Sequence, residues 1–474
     1  MKKTCFILLL FFNLAFINTK AQDTPVNNTD LDLSLQEFLA YVKLYHPIAK
    51  QAELRISSAE AELMMARGNF DPKVYANYSD KDFKEQDYYQ IFNAGLSIPV
   101  WFGLDIKAGY EKAEGNFLNP ERTVPDDGLY KAGISLPLGQ GLFINERMAT
   151  LKKAKIFQNL NKAERDLEVN QILYRATLAY INWYRAQKEV DIFEEFLDNA
   201  QERFQGIKQS ALQGDIPIID TLEAKIIVQN RDLSLEQANL SLTQSRLQLS
   251  NFLWLENDVP LQLDPGVSPT DLDAISIDDI LGTNLIQLDQ FNVEQHPLLQ
   301  FLSYSIESLE VDRRLAAERL KPVLDVEYNF LSEQPNQVDT FTPNNYQAGI
   351  SFSMPLFLRK ERGDLRLTKI QIRDAELEYE FQNLELRNRI DAAQEGINSF
   401  DRQLVTIDQI STNFSDLLKA EERKFSFGES SVFLLNAREQ QLIDARLEQI
   451  KASARLFESK ALLFNLLANE ILVD

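Results

Sequence analysis

The apolar positions of this chain change period in a fixed order, and the order occurs twice. Ala52, Ile56, Ala59, Leu63, Ala66 and Phe70 follow alternating steps of four and three, the narrow seam of a helix packed as in a coiled coil. The period then falls to two. Val74, Ala76 and Tyr78 alternate with Lys73, Tyr75, Asn77 and Ser79, which predicts a strand. Farther on, Leu302, Ile306, Leu309, Ala316 and Leu320 repeat the helical seam, with Arg313 interrupting. Leu324, Val326, Tyr328 and Phe330 then repeat the alternation against Asp325, Glu327 and Asn329.

Two related strands follow, "YKAGISLPL" (Tyr130 to Leu138) and "YQAGISFSMPL" (Tyr346 to Leu356). The first copy holds two more alternating segments, Ile91 to Val100 and Leu104 to Lys112, separated by little more than "WFG". Six strands are therefore expected, four in the first copy and two in the second. Half-polar strands of this kind suit either a sandwich or a membrane barrel with a wet interior. One short turn and two long polar connections match the two sides of such a barrel. Trp101 and Phe102 would then lie in an interfacial aromatic belt, the alternative being a surface patch on a soluble sandwich.

After the last strand of each copy the helical period returns and persists, without proline, from about residue 143 to 210 and from about 365 to 425. Charges of both signs alternate on the outer face, as on a solvated coiled-coil flank. Each run meets a glycine break, "LQGDIPIIDTLEAK" and "FSFGESSVFLLNAR", after which the helix resumes. About 70 residues at about 1.5 Å each give a strut of roughly 105 Å, too long for a globular core.

The two histidines fix the register of the duplication. His46 and His296 are 250 positions apart, and so are Pro47 and Pro297, Pro72 and Pro322, and Tyr78 and Tyr328. No acidic or histidine cluster recurs beside them, so the expected role is a helix entry with proline in its first turn, not a metal or proton-transfer site.

Composition narrows the classes further. The 474-residue chain carries a formal charge of −22. A basic start, an apolar "CFILLLFFNLAFI" and "TKAQ" read as a secretory signal over residues 1–22, the alternative being a short anchor. Its loss takes away three lysines and no acid, leaving a charge of −25 and no cysteine, since Cys5 lies within it. Such a chain will not bind nucleic acid through its phosphates. No nucleophile–base set, metal-ligand cluster or phosphate-binding loop is evident, so neither an enzyme nor a cofactor is expected.

The order of these signals resembles the outer membrane efflux protein family, the TolC-like channels. The likeness rests on duplicated helix–strand–hairpin halves, on the "AGIS" strands and on the two glycine breaks, and it covers nearly the whole mature chain. It implies an α+β, mainly α fold: a homotrimer whose coiled-coil helical hairpins form a periplasmic tunnel and whose strands share one antiparallel transmembrane β-barrel. The corresponding division is a first repeat over 23–255, a linker over 256–274 and a second repeat over 275–474. Barrel strands are expected at about 73–138 and 323–356. The family's own count is four strands per protomer. The resemblance also implies a passive export duct in the cell outer membrane, in contact with its lipid. Its partners would be a periplasmic adaptor (membrane fusion) protein and an inner-membrane RND or ABC transporter, in efflux or type I secretion. A soluble periplasmic coiled-coil scaffold or adaptor is the alternative. By residue, it points to Gly214 and Gly428 as adaptor-docking tips and to Asp220, Phe425, Phe433 and Asn436 as gate candidates. Ser430 and Phe433 stand where the family places an arginine and an acid. A mixed, partly apolar lock is expected in place of a double acid ring.

Overall fold

The structure is a computed structural model and describes residues 31–272, 277–283, 291–334 and 341–468. The expected signal over 1–22 lies outside the described residues.

The chain begins with β1 (Leu31–Leu33), α1 (Leu35–Tyr45) and α2 (Pro47–Gly68). Strands β2 (Lys73–Asp82), β3 (Asp87–Pro99), β4 (Asp105–Glu114) and β5 (Leu129–Pro137) follow. Then come α3 (Glu146–Gln213) and α4 (Ile218–Ser250). The expected linker contains ordered pieces: β7 (Val259–Pro260) pairs with β6 (Trp254–Leu255), and β8 (Val267–Pro269) pairs in parallel with β1. The second repeat runs through α5 (Ile277–Leu281), α6 (Pro297–Glu318), β9 (Val323–Ser332), β10 (Tyr346–Ser353), α7 (Arg359–Ser426) and α8 (Val432–Leu467).

Helices α3 and α7 are each 68 residues long, about 100 Å at about 1.5 Å per residue. Each is accompanied by two shorter helices placed one after the other. On α3, α2 covers the strand end, where Leu63 and Ala66 meet Ala154, and α4 covers the far end, where Ala224 and Ile227 meet Ala200 and Ile207. On α7, α6 and α8 divide the length in the same way, with Leu299 beside Leu386 and Ile390. The buried positions of α4, including Ala224, Ile227, Arg231, Ala238, Leu242, Ser245 and Leu249, keep the three-and-four spacing of a coiled-coil seam.

The histidines stand where the short helices succeed one another. His46 Nδ1 accepts from Ile48 N and His296 Nδ1 accepts from Leu298 N, both at 3.1 Å. Each imidazole therefore caps a helix that has proline at its first position. The His46 ring stacks on Phe252, just past the end of α4, at 5.8 Å. The Leu466 carbonyl, at the end of α8, faces His296, although His296 Nε2 stops short of full hydrogen-bond geometry. Burial lowers both histidines' pKa, that of His296 to about 4, which keeps the ring neutral and able to accept.

The largest core surrounds the middle of α3. Tyr180 and Trp183 are fully buried there with Phe38 of α1, Ile277 of α5 and Phe464 of α8. Tyr180 donates to the Leu33 carbonyl at 2.7 Å, tying β1 to the strut. In α6 Ala316 is buried as expected, but the stripe also takes in Val311 and Leu315, while the expected Leu309 is only half-buried. The reason is the partner: Val311 and Leu315 fill against Ile144, Met148 and Ile156 at the start of α3, while Arg313 turns to Glu310.

Candidate transmembrane sheet and tunnel tip

Six strands form one antiparallel sheet in the order β10-β9-β5-β4-β3-β2. Ile91 to Val100 falls almost wholly in β3 and Leu104 to Lys112 in β4. The contact between the repeats is β5 on β9, with Ile134 opposite Tyr328 and Gly133 opposite Asn329. Strands β2 and β9 leave helices, and β5 and β10 enter them, so all four helix junctions lie at one end of the sheet.

The register sorts the two faces. One carries Val74, Ala76 and Tyr78, then Phe92, Ala94 and Leu96, and continues through Ile106, Ala108 and Tyr110 to the apolar positions of β5, β9 and β10. Much of it is open: Val74 is 83% exposed, Ile350 75% and Phe352 69%. Aromatic pairs stand toward the loop end, Tyr110 with Tyr130 at 4.8 Å and Tyr328 with Tyr346 at 5.5 Å. At the helix end Phe102, Phe143, Leu356 and Phe357 are exposed, while Trp101 is half-buried against Phe70. An apolar band between two aromatic rims is the outward pattern of a membrane barrel.

The opposite face is polar and charged in its middle, with Ile91, Ala113, Leu129 and Leu331 near the loops and Pro99, Pro137 and Val323 at the helix end. Lys131 pairs with Glu111, and Lys107 pairs with Glu327 at 3.3 Å. Asn329 donates to Glu327 at 2.9 Å, and Arg147 of α3 reaches Asp105 at 2.7 Å. Tyr75 lies across Gly95, where a Cβ would come within 2.6 Å of the tyrosine hydroxyl.

At the far end of the struts both reversals use the same device. Gly214 has φ +85° and Gly428 has φ +75°. Asp215 N donates to Ser210 O at 3.0 Å and Glu429 N donates to Lys424 O at 2.9 Å, the six-to-one bond of a helix ended by a left-handed residue. A Cβ at either glycine would meet nothing within 4 Å, so it is φ that requires glycine there. A cleft of about 840 Å³ between the two tips is lined by Arg203, Asp215, Asp220, Glu422, Phe425 and Gly428, among others.

Residues 292–469 match the model of the outer membrane efflux protein family. Sequence comparison with curated proteins finds no match. Among solved structures, the chain is similar to the MtrE outer membrane channel of Neisseria gonorrhoeae, at 14% identity and a TM-score of 0.65, covering 94% of this chain and 93% of that one. The CmeC outer membrane channel of Campylobacter jejuni gives 13% identity and a TM-score of 0.64, over 92% of this chain and 85% of that one. VceC of Vibrio cholerae, an outer membrane protein, gives 12% and 0.62, over 92% and 96%.

Residues 292–469 thus resemble the outer membrane efflux protein family, and the chain has a TolC-like fold. In this TolC-like chain the expected gate residues divide into two groups. Asp220, in the first turn of α4, and Phe425, near the end of α7, line the same cleft. Phe425 also packs against the apolar clusters of Leu435 and Ile207. Phe433 is 65% exposed, and Asn436 is half-buried one turn on. Ser430, at the family's arginine position, donates to Glu421 at 2.6 Å.

Sequence reasoning missed a buried polar contact that joins α8 to α3 and α4. Glu439 of α8 is fully buried and receives Arg203 of α3 through two bonds at 2.9 and 3.2 Å. Arg231 of α4 approaches the same carboxylate at 3.5 Å and donates to Gln440 at 2.7 Å. Burial pushes the Arg231 guanidinium below its ordinary pKa, and Glu439 opposes that shift. The available signal was positional. Glu439 lies four residues after Leu435 and three before Leu442, on the seam, and Arg231 holds a seam position in α4.

Proposed function

We propose that this protein is an outer membrane export duct in which three copies build one channel. Each copy supplies six strands to an 18-stranded barrel and two helical hairpins to a periplasmic tunnel. The observation that carries this is the sheet: one apolar face, one charged face, two open edges and all helices leaving from one end. A lone six-stranded sheet cannot stand in lipid with unpaired edge groups, whereas a closed ring removes the edges. The polar face then lines a water-filled lumen.

The tips are the docking ends for a periplasmic adaptor, which links the duct to an inner-membrane RND or ABC transporter. Leu212, Ile218, Ile219 and Phe427 expose apolar surface around the two glycine reversals, as a docking face would. The duct itself does no chemistry. Asp220 places a carboxylate ring near the constriction, and Phe433 narrows the passage by bulk.

Fractionation and planar-bilayer recording test the reading. The protein should enter detergent with the outer membrane, have a trimeric mass and form conducting pores. A soluble periplasmic monomer without conductance would establish the scaffold alternative. Replacing Gly214 and Gly428 with valine should weaken adaptor capture while leaving trimers in the outer membrane. Loss of the trimers themselves would assign those glycines to folding.

A further inference from the structure

The two edges of the sheet are sequence copies of the two strands that already join inside it. Strand β2 is the counterpart of β9 at an offset of 250, through Pro72 and Pro322 and through Tyr78 and Tyr328. Strand β10 is the counterpart of β5 at an offset of 216, through Tyr-Lys-Ala-Gly-Ile-Ser and Tyr-Gln-Ala-Gly-Ile-Ser. Strands β5 and β9 pair with each other, while β10 and β2 each end the sheet unpaired.

We propose that β10 of one copy pairs antiparallel with β2 of the next in the register of the β5–β9 joint. This rests on the trimeric reading above and sets its seam. Shifting both strands by their offsets turns Ile134 opposite Tyr328 into Ile350 opposite Tyr78 of the neighbouring copy. Gly349 then faces Ser79, Ser351 faces Asn77, and Phe352 faces Ala76.

Three independent features support this seam. The first is direction. Strand β2 runs away from the helices and β10 runs toward them, so antiparallel pairing of the two keeps every copy pointing the same way. Pairing β2 with β2 would turn the second copy's helices to the opposite side of the membrane. Head-to-tail pairing of unlike edges also leaves each copy one free edge of each kind, so a ring forms when the rotation from copy to copy closes.

The second feature is the match of faces. Ile350 and Phe352 meet Tyr78 and Ala76 on the apolar side, and Gly349 and Ser351 meet Ser79 and Asn77 on the polar side. A slip of one residue would place every apolar side chain of β10 beside a polar one. Only slips of two residues keep the faces, opposing Ile350 to Ala76 or to Asp80.

The third is the difference between Gly133 and Gly349. At the internal joint, Gly133 packs so closely on Asn329 of β9 that a Cβ would lie within 2.6 Å of the Asn329 Cα. Its counterpart Gly349 has nothing within 4 Å of the same position, although it already pairs with β9 on its other side. The neighbour's β2 supplies the missing cover.

Cysteine pairs in the full chain test the register, because Cys5 is its only native cysteine. Directly opposed residues have Cα atoms about 4.5–5.5 Å apart, within disulfide reach, whereas positions two residues off lie about 7–8 Å apart. Outer membranes carrying Ile350→Cys with Tyr78→Cys should give covalent trimers on mild oxidation. Ile350→Cys with Ala76→Cys, or with Asp80→Cys, should give at least tenfold less. Preferential cross-linking of a shifted pair overturns the register. If no pair cross-links while native mass still shows a trimer, the β10–β2 seam is overturned and the duct reading survives. If no trimer forms with the unaltered protein, both fall. Gly349→Leu should abolish heat-resistant trimers although a Cβ there meets nothing within 4 Å in its own chain, and trimers of unchanged heat resistance would count against the seam.

Discussion

The first repeat places four strands between its helices and the second places two, yet α3 and α7 have the same 68 residues. The two halves are thus strict about helix length and free about strand number. The reason is mechanical. Both long helices start at the sheet and must reach the same tip level, so their lengths are tied together. A strand insertion has only to be even, because the chain must return to the end of the sheet from which the helices leave. The extra β3–β4 hairpin meets that condition, with a tight turn at the helix end and its longer connection at the loop end.

Removing the hairpin is the largest way to break this comparison. Deletion of residues 87–114 leaves β2 and β5, the counterparts of the β9–β10 unit that already serves α6 and α7. Trimers should still reach the outer membrane with twelve strands. The barrel cross-section should fall by about half, since diameter grows roughly linearly with strand number. Cryo-electron microscopy of the purified variant measures both. Absence of any trimer would show that strand number is not free.

The next effect concerns the joint between the repeats. Glu439 of the second half holds Arg203 and Arg231 of the first. Glu439→Ala leaves the buried Arg231 and the half-buried Arg203 without their shared carboxylate, an expected loss of about 3 kcal/mol. Its denaturant midpoint in detergent should drop clearly, whereas substitution of the exposed Lys419–Asp416 pair should leave it nearly unchanged.

Acid should weaken both histidine joints. The ordinary histidine pKa is 6.5, and in the folded protein His296 is lowered to about 4. The unfolded chain therefore binds the extra proton first, and stability is lost as pH falls from about 6.5 toward 4. The stabilisation is complete above that window and amounts to roughly 3 kcal/mol. Protonation of Nδ1 also removes the acceptor that caps α6. His296→Asn keeps a capping oxygen without the titration, so the thermal midpoint should become less sensitive between pH 7 and 4.5. His46→Asn should act in the same direction. An unchanged acid response in His296→Asn would mean that the loss arises elsewhere.

The smallest effects are expected at the tip. Phe433→Ala should raise single-channel conductance more than Asp220→Asn, which should chiefly lower cation preference at low salt. If Phe433→Ala conducts like the unaltered protein, its exposed ring faces a neighbouring helix and not the passage.

Local periodicity made much of this legible in advance. The 250-residue offset, the switch from helical to strand period and the two glycine breaks can be read from residues close together in the chain, because backbone geometry sets those repeats. Alternation also assigned each strand an apolar and a polar face. What the sequence did not contain was which distant groups meet. The placing of β5 on β9, the imidazoles capping helices beside the ends of others, and the Arg203–Glu439–Arg231 contact were decided only in three dimensions. These depend on residues hundreds of positions apart, where burial gives a charge or a ring nitrogen a partner that no local pattern specifies. Seam spacing could show that Glu439 would be buried, but only the packed helices determined what would neutralise it.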